Sequence, residues 1–94
     1  MIVLGGGVIG QLAVQLAKLA GAEVMLVTRQ ASKRRLAEKL GASVTTATMA
    51  QARVLWPQGA NLVLECAGVP ETVAFTPALC AAGGRVVILG VLPQ

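Results

Sequence analysis

The opening stretch MIVLGGGVIGQLAVQLAKLAGAEV, residues 1–24, sets the architecture of the chain. Its first four residues form an aliphatic run that ends at Gly5, as is typical of a short buried strand. Beyond the glycines, apolar residues recur with helical spacing at Ile9, Leu12, Ala13, Leu16 and Leu19. Gly21 then ends this periodic stretch. The segment therefore predicts a strand, a glycine turn and a helix, in that order.

The turn contains Gly5, Gly7 and Gly10 in the spacing G-x-G-x-x-G. After a strand and at the start of a helix, this spacing is typical of a dinucleotide-binding site. The first glycine permits a tight turn, the second lets the backbone approach a pyrophosphate, and the third lets the helix pack closely on its strand. The backbone amides of Val8 and Ile9 are expected to point at the phosphates. A glycine turn that binds no ligand is the alternative.

The remaining sequence continues the alternation of strands and helices. The dipeptide Gly-Ala follows each of the first two helices, at 21–22 and 41–42, and introduces the next strand each time. Further strands are predicted over residues 23–27, 43–46, 61–66 and 85–89. Further helices are predicted over residues 32–40, 48–56 and 70–81.

Particular residues are expected to mark the boundaries of these elements. Ser32 is the candidate N-cap of the second helix, and Gly41 is expected to stop that helix. Pro77 is expected to kink or restart the last helix. The pair Gly83-Gly84 is expected to break the chain before the final strand.

This alternation predicts the α/β class, as a Rossmann-like doubly wound parallel sheet of about five strands with helices on both faces. The composition agrees, because 55% of the 94 residues are hydrophobic but only 2% are aromatic, and aliphatic side chains suit strands covered on both faces. A chain of this length forms one domain, residues 1–94. Ligands bind at the carboxyl ends of parallel strands. The predicted strands end at Gly5, Thr28, Cys66 with Ala67, and Gly90.

The net charge of +4 is concentrated in one segment. Between positions 29 and 39, basic residues outnumber the single acid Glu38, and the charges of the rest of the chain cancel. The basic residues are Arg29, Lys33, Arg34, Arg35 and Lys39. No aromatic side chain is interleaved with them, which argues against a nucleic-acid partner. A local patch of this kind suits a small anionic ligand.

The residue at the end of the second predicted strand indicates whether such a site binds NAD or NADP. A site for NAD usually carries an Asp or Glu about 20 residues further on, where it accepts hydrogen bonds from the ribose. Thr28 holds that place here, and no acid occurs between Val24 and Ala37. A hydroxyl followed by Arg29 and Lys33 favours the 2′-phosphate of NADP. NADP is therefore preferred and NAD stays open, while a solvated basic face is the alternative for the cations.

The absence of certain residue types restricts the chemistry. The chain has no histidine and no tyrosine, and histidine is the commonest general base and metal ligand. Cys66 and Cys80 have no CxxC pairing and are expected to be reduced and buried. Together with Glu65 they do not make a credible set of zinc ligands. We therefore predict no catalytic residue and no metal site in this chain.

The stretch 1–17 carries no charge and has the apolar character of a signal or membrane segment. It lacks a basic leader, however, and contains glycines, Gln11 and Gln15. We therefore expect no membrane partner and predict a cytoplasmic location.

Four segments together resemble one family, the coenzyme-binding domain of the zinc-type medium-chain dehydrogenases and reductases, which includes alcohol, sorbitol and threonine dehydrogenases. The segments are VLGGGVIGQLAVQLAKLAGAEV at 3–24, KRRLAEKLGAS at 33–43, NLVLECAGVPET at 61–72 and GGRVVILGVLP at 83–93. The resemblance implies three groups of cofactor-binding residues. They are the pyrophosphate turn of Gly5, Gly7, Val8, Ile9 and Gly10, the ribose selector of Thr28, Arg29 and Lys33, and two segments along the cofactor, Ala67, Gly68, Val69 and Gly90, Val91, Leu92.

The resemblance also implies an oxidoreductase that moves hydride between NADP(H) or NAD(H) and an alcohol or carbonyl. Members of the family hold zinc and substrate chiefly in a separate catalytic domain. Nothing in residues 1–94 matches that domain or the sixth strand of the family's sheet. The chain is therefore expected to be a fragment that binds cofactor without turning over substrate, with zinc only in the missing part of the parent enzyme.

Two alternatives stay open. A zinc-free quinone or enoyl reductase domain of the same superfamily would carry similar segments. The other alternative is a self-associating structural fragment without tight ligand binding. It is suggested by strand 85–89, which would form an exposed apolar sheet edge that invites pairing. Pairing through that edge predicts a homo-oligomer.

Overall fold

A computed structural model describes residues 1–89, and over them the predicted alternation is present throughout. The strands are β1 (Ile2–Leu4), β2 (Met25–Val27), β3 (Val44–Thr46), β4 (Ala60–Glu65) and β5 (Cys80–Ile88). The helices are α1 (Val8–Leu19), α2 (Ala31–Leu40), α3 (Met49–Leu55) and α4 (Pro70–Leu79). In residues 1–89, no helix has both the length and the apolar character needed to cross a bilayer. Gly90, Val91 and Leu92 lie outside the described residues.

The five strands form one parallel sheet in the order β3-β2-β1-β4-β5. β1 lies at the centre, and the chain winds outward from it in one direction through β2 and β3 and in the other through β4 and β5, so the strand order reverses between β1 and β4. The strand ends are level, since Leu4 pairs with both Val27 of β2 and Glu65 of β4. In a sheet of this order, ligands bind at the carboxyl ends of the strands where the order reverses. The predicted doubly wound α/β fold is confirmed.

Helices cover both faces of the sheet, as predicted. One face, beneath α1 and α2, holds the buried side chains Val3, Ala13, Val14, Ala17, Val24, Leu26 and Ala37. The other, beneath α3 and α4, holds Ile2, Leu4, Met25, Val27, Ala52, Ala60, Val63 and Leu79. Successive residues of β1 and β2 alternate between these clusters, because strand side chains point to opposite faces. Burial on both faces explains why the central strands are continuously aliphatic.

Helix α1 buries its small residues rather than its largest ones. The buried positions are Gly10, Gln11, Ala13, Val14 and Ala17. Because these side chains are mostly short, the helix can approach the sheet closely. Ile9, Leu12 and Leu16 are exposed and instead line an open apolar groove of about 980 Å³ between α1 and β4. The apolar spacing thus predicts the helix correctly but not its buried face.

Helix α2 begins before Ser32, so the predicted N-cap is wrong. The Gln30 carbonyl already accepts hydrogen bonds from the amides of Lys33 and Arg34, both at 3.1 Å. Ser32 therefore lies inside the helix, and no side chain caps its start. Gly41 ends α2 with a φ of +117°, as predicted, because glycine adopts the left-handed conformation without a steric cost.

Helix α4 passes through Pro77 and ends at Leu79, so it does not restart there. A proline inside a helix cannot donate to the carbonyl four residues earlier, here that of Val73. The Thr76 hydroxyl donates to the Val73 carbonyl at 2.8 Å instead. The neighbouring side chain thus replaces the hydrogen bond that Pro77 cannot make.

Strand β5 is longer than predicted and irregular. It begins at Cys80 and advances to Arg85 while β4 advances only from Ala60 to Leu62. The irregularity takes up the glycine pair, with Gly83 at a φ of +78°. The expected break before the strand is therefore a bulge within it. β5 is the last strand of the sheet over the described residues.

Candidate functional site

The turns after β1, β2 and β4 meet at the carboxyl edge of the sheet. Backbone hydrogen bonds hold them together beyond the strands themselves. The Gly5 amide donates to the Val27 carbonyl at 2.9 Å, and the Cys66 amide donates to the Leu4 carbonyl at 2.8 Å. The glycine turn after β1 is therefore fixed between its two neighbours.

Close packing requires glycine at the first and last positions of the motif. Gly5 has a φ of +112°, and a methyl group there would lie 3.0 Å from the Ala67 amide nitrogen. A methyl group on Gly10 would collide with the Gly5 carbonyl oxygen. The start of α1 thus rests directly on the turn that precedes it, as the motif predicts.

Gly7 is the glycine of the motif that faces open space. A methyl group there would meet no atom of residues 1–89 within 4 Å. Gly7 is also the N-cap of α1, and it offers no side chain to the free amides of the first turn. Val8 and Ile9 follow it, with 78% and 52% of their surface exposed. Free amides at the positive end of a helix suit an anion, so the turn fits a pyrophosphate.

Gly6 lies between the first two glycines of the motif, at a position where the motif allows any residue, and it has a role that the motif does not predict. It is buried, and a methyl group on it would lie 2.7 Å from Cβ of Lys33 and 3.1 Å from Cγ2 of Thr28. Gly6 therefore lets the start of α2 approach the glycine turn. This contact brings two predicted ribose-selector residues to the pyrophosphate turn.

A cavity of about 470 Å³ lies where the three turns meet. Its lining includes five predicted cofactor-binding residues, namely Gly5, Thr28, Arg29, Ala67 and Val69. Arg29 and Glu71 are the charged residues of the lining. The remaining side chains are mostly small or apolar, as in pockets that hold a ring system with a few polar anchors.

The cations near this cavity have different surroundings. Arg34 donates from Nη1 to the Thr28 carbonyl at 2.7 Å, so its guanidinium is engaged in holding the turn. Arg29 is exposed at the mouth of the turn. Lys33 is half-buried, with its Cβ against Gly6. Arg29 and Lys33 are therefore the cations with side chains best placed for a ligand phosphate.

Glu65 organises the turn after β4. Its side chain is fully buried. Oε1 accepts hydrogen bonds from the amides of Ala67 at 2.8 Å and Gly68 at 2.9 Å, and Oε2 lies 3.1 Å from the Gly68 amide. Gly68 has a φ of +70°, which favours glycine. The buried carboxylate thus fixes the two predicted residues that follow it.

The two cysteines are free thiols, and both are half-buried rather than fully buried as expected. Burial raises the pKa of the Cys66 thiol, and the adjacent Glu65 carboxylate raises it further. A raised pKa keeps this thiol protonated and poorly nucleophilic at neutral pH.

The structure brings most of the predicted cofactor-binding residues together and adds others that the sequence did not single out. Gly5, Gly7, Val8, Ile9 and Gly10 form the turn, and Thr28, Arg29, Lys33, Ala67, Gly68 and Val69 surround it. The residues missed as parts of the site are Gly6, Gln11 and Glu65. A glutamine and a glutamate within otherwise apolar runs were the available signal, because buried polar side chains require hydrogen-bond partners.

The parallel sheet order and the glycine turn after its central strand together define an α/β domain of the Rossmann type. The family model described as zinc-binding dehydrogenase matches residues 8–94. The chain therefore belongs to the zinc-binding dehydrogenase family.

Individual relatives agree with this assignment. L-threonine 3-dehydrogenase of Bacillus subtilis (strain 168) is 36% identical over 98% of this chain and 28% of its own length. The structure of a zinc-binding dehydrogenase of Sinorhizobium meliloti 1021 bound to NADP has 55% identity and a TM-score of 0.91, covering 99% of this chain and 30% of that one. Galactitol-1-phosphate dehydrogenase of Escherichia coli has 34% identity and a TM-score of 0.87, with coverage of 99% and 29%. The chain thus spans less than a third of each relative.

The zinc in the family's description has no site in the described part of this chain. Within residues 1–89, no three His, Cys, Asp or Glu side chains are grouped so that they could hold a metal ion. The residues described therefore do not fit a zinc centre.

Proposed function

We propose that residues 1–94 are the nicotinamide-dinucleotide-binding domain of a zinc-type alcohol dehydrogenase-like oxidoreductase. The parent enzyme moves hydride between NADP(H) or NAD(H) and an alcohol or carbonyl. The observation that carries the proposal is the glycine turn, where Gly7 faces open space at the uncapped start of α1. The isolated domain binds the cofactor but does not turn over substrate. Substrate turnover and zinc binding belong to another part of the parent enzyme.

Each part of the site has a role in holding the cofactor. The amides of Val8 and Ile9 bind the pyrophosphate at the start of α1. The cavity lined by Thr28, Arg29 and Val69 takes the adenosine half. The segment Ala67–Val69 after β4 lies along the rest of the cofactor. Gly90, Val91 and Leu92, which are outside the described residues, are assigned to the cofactor by the family resemblance alone. When bound, the nicotinamide supplies the hydride donor or acceptor, and this domain orients it.

We further propose that NADP is preferred over NAD. Thr28 provides a hydroxyl where NAD sites usually carry an acid. Arg29 directly follows Thr28 and is exposed, and Cβ of Lys33 lies with Thr28 Cγ2 against Gly6, so both cations lie near the selector position, where they attract a 2′-phosphate. The NADP in the Sinorhizobium meliloti relative supports this preference.

Calorimetric titration of the purified chain with NADPH and, separately, NADH tests both proposals. We expect NADPH to bind at least tenfold more tightly, a difference of about 1.4 kcal/mol. Added salt should narrow the difference, because it screens the contact between phosphate and cations. Equal affinities would contradict the NADP preference. Failure of a folded chain to bind either nucleotide would contradict the proposed function.

The substitution Thr28→Asp is the matching test of the selector. A carboxylate at the end of β2 repels a 2′-phosphate and accepts hydrogen bonds from ribose hydroxyls, so the ratio of the two dissociation constants should shift towards NADH. Ser43→Asp is the control, because it adds the same charge at the opposite, amino end of β3. An unchanged ratio in Thr28→Asp would show that Thr28 is not the selector.

We also propose a homo-oligomer formed through the edge strand, residues 85–89. β5 is the edge of the sheet over the described residues, and Val86, Val87, Ile88 and Leu89 are all exposed there. Consecutive strand residues point to opposite faces, so both faces of this strand are open. An exposed apolar edge strand is a template for pairing with another chain.

Sedimentation velocity of the chain tests the edge pairing. We expect the wild type to sediment as a dimer and Ile88→Lys to raise the dissociation constant at least tenfold, because a charged edge residue opposes pairing. Val54→Lys is the control, since Val54 is an exposed aliphatic residue on α3, away from β5. A monodisperse wild-type monomer at high concentration would refute the proposed oligomer.

Finally, we propose a cytoplasmic location and a small-molecule partner rather than nucleic acid or a membrane. The two free thiols suit a reducing compartment. The basic segment has no interleaved aromatic residues and adjoins a nucleotide-sized cavity.

A further inference from the structure

Gln11 is a buried polar residue inside the dinucleotide-binding turn. It follows Gly10 on α1, and only 6% of its surface is exposed. The buried face around it is otherwise made of glycine, alanine and valine. Burial of an amide is unfavourable unless hydrogen bonds replace those to water. The partners of Gln11 therefore indicate what its side chain does.

The amide nitrogen of Gln11 bridges two parts of the site. Nε2 donates to the Gly6 carbonyl at 3.2 Å and to the Lys33 carbonyl at 3.0 Å. Both partners are acceptors, so the amide must present its NH₂ group to them, and its orientation is fixed. One side chain on α1 thus joins the glycine turn to the first turn of α2.

The other end of the Gln11 amide is not stabilised in the same way. Within residues 1–89, its Oε1 is buried and has no hydrogen-bond partner. A buried unpaired acceptor costs about 1–3 kcal/mol. An apolar side chain of similar size, such as methionine, would avoid this cost. Methionine would also lose the two hydrogen bonds from Nε2, which contribute about 0.5–1.5 kcal/mol each. These gains and the cost of the unpaired Oε1 are of similar size, so glutamine has little net stabilising effect at this position.

Lys33 makes one contact with Gln11 of α1 and one with Gly6 of the glycine turn. Its carbonyl oxygen accepts from Gln11, and its Cβ packs so closely on Gly6 that a methyl group there would lie 2.7 Å away. The two contacts fix where the lysine side chain leaves the backbone. A second cation of the same helix, Arg34, donates its side-chain hydrogen bond to the Thr28 carbonyl.

We propose that Gln11 is a positioning residue for cofactor specificity, holding Lys33 against the glycine turn so that the site prefers the 2′-phosphorylated dinucleotide. Gln11 itself does not contact the phosphate and acts through the backbone of α2. The inference rests on the proposed function and adds a specificity residue that lies outside the G-x-G-x-x-G motif and outside the selector position.

The test is titration of Gln11→Met with NADPH and NADH. Methionine keeps the approximate volume and removes both hydrogen bonds. We expect NADPH affinity to fall about tenfold and NADH affinity to fall less than threefold. Gln15→Met is the matched control, because Gln15 lies one turn later on α1 and, among residues 1–89, its side chain donates only to the Gln11 carbonyl of its own helix, at 3.4 Å. That control should change neither affinity.

A double-mutant cycle with Lys33→Met tests whether Gln11 influences the selectivity between NADPH and NADH through Lys33. If Gln11 acts through Lys33, the selectivity change caused by Gln11→Met should disappear when Lys33 is already methionine. Equal losses for NADPH and NADH in Gln11→Met, or an unchanged ratio, would overturn the inference. A selectivity change that persists without Lys33 would also overturn it.

Hydrogen exchange of the ligand-free chain provides a second readout. Gln11→Met should speed exchange of amides in the first turns of α2, residues 33–36, and leave those of α4 unchanged. Unchanged exchange in α2 would contradict the anchoring of this helix by Gln11. If Gln11→Met does not fold, Gln11→Leu takes its place in both measurements. If the wild type binds neither nucleotide, the proposed function is wrong. If the wild type prefers NADPH but Gln11→Met has the same ratio of dissociation constants for NADPH and NADH, only the Gln11 inference is wrong.

Discussion

Replacement of Gly10 by alanine should destabilise the fold strongly, whereas the same replacement at Gly7 should leave stability unchanged and weaken nucleotide binding. The two glycines belong to one motif and lie within four positions of each other. A methyl group on Gly10 meets the carbonyl oxygen of Gly5, which is backbone and cannot rotate away. A methyl group on Gly7 meets no atom within 4 Å in the described part of the chain.

For Gly10→Ala we expect a net loss of about 2 kcal/mol in the free energy of unfolding. Alanine gains about 1 kcal/mol over glycine within a helix, and overpacking against a rigid neighbour costs about 1–3 kcal/mol or more. The collision outweighs the helical gain, because its relief requires α1 to move off β1. Thermal unfolding followed by circular dichroism should show a midpoint lower by about 10 °C. A midpoint equal to that of wild type would mean that α1 does not rest on Gly5.

For Gly7→Ala the unfolding midpoint should match that of wild type, since its φ of −76° suits alanine. The dissociation constant for NADPH should rise at least tenfold, because the second glycine is where the pyrophosphate approaches the backbone. Each variant is therefore the control for the other. Unchanged NADPH binding in Gly7→Ala would contradict the assignment of the pyrophosphate to this turn.

Removal of the Glu65 carboxylate should have the other large effect. Glu65→Ala deletes an acceptor that serves the amides of Ala67 and Gly68 in a fully buried position. Hydrogen bonds to a charged group contribute about 1.5–3 kcal/mol each, so a total loss of about 3 kcal/mol is expected. The turn that carries Ala67, Gly68 and Val69 should lose its shape along with its stability.

Urea unfolding of Glu65→Ala measures this loss directly, with Glu71→Ala as the control. Glu71 is also a carboxylate near the cavity, but it is exposed in the first turn of α4, where removal should cost less than about 1 kcal/mol. Similar losses in the two variants would show that the buried hydrogen bonds of Glu65 do not stabilise the turn.

The sequence predicts the succession of elements along the chain and the glycine turn, because the signals for both are local. Strand, glycine turn and helix follow one another within residues 1–19, and several later boundaries lie beside a glycine or proline, such as the end of α2 at Gly41 and the start of α4 at Pro70. Glycine and proline end helices and strands through their effect on backbone conformation, which neighbouring residues largely determine. The element order in turn restricts the topology to the doubly wound sheet.

Contacts between residues distant in sequence could not be predicted in the same way. The role of Gln11 depends on the Lys33 carbonyl, and that of Gly6 depends on the Lys33 side chain. The buried face of α1 depends on how closely the helix approaches the sheet, so leucines that look like core residues are exposed. Ser32 looks like a cap because of its residue type, but the Gln30 carbonyl already begins the helix.

The central place of β1 determines how the chain must assemble. Only α1 lies between β1 and β2 in the sequence, so these two strands can pair once that helix has formed. The pairing of β1 with β4 brings Leu4 beside Glu65, and it forms only after the chain between them has folded back. Pairings between distant segments form slowly, because the loop must close before the contacts can compensate for its lost entropy. During that interval one side of β1 is open to other molecules of the same chain. Refolding yield should therefore fall as protein concentration rises, even under conditions where the native state is stable.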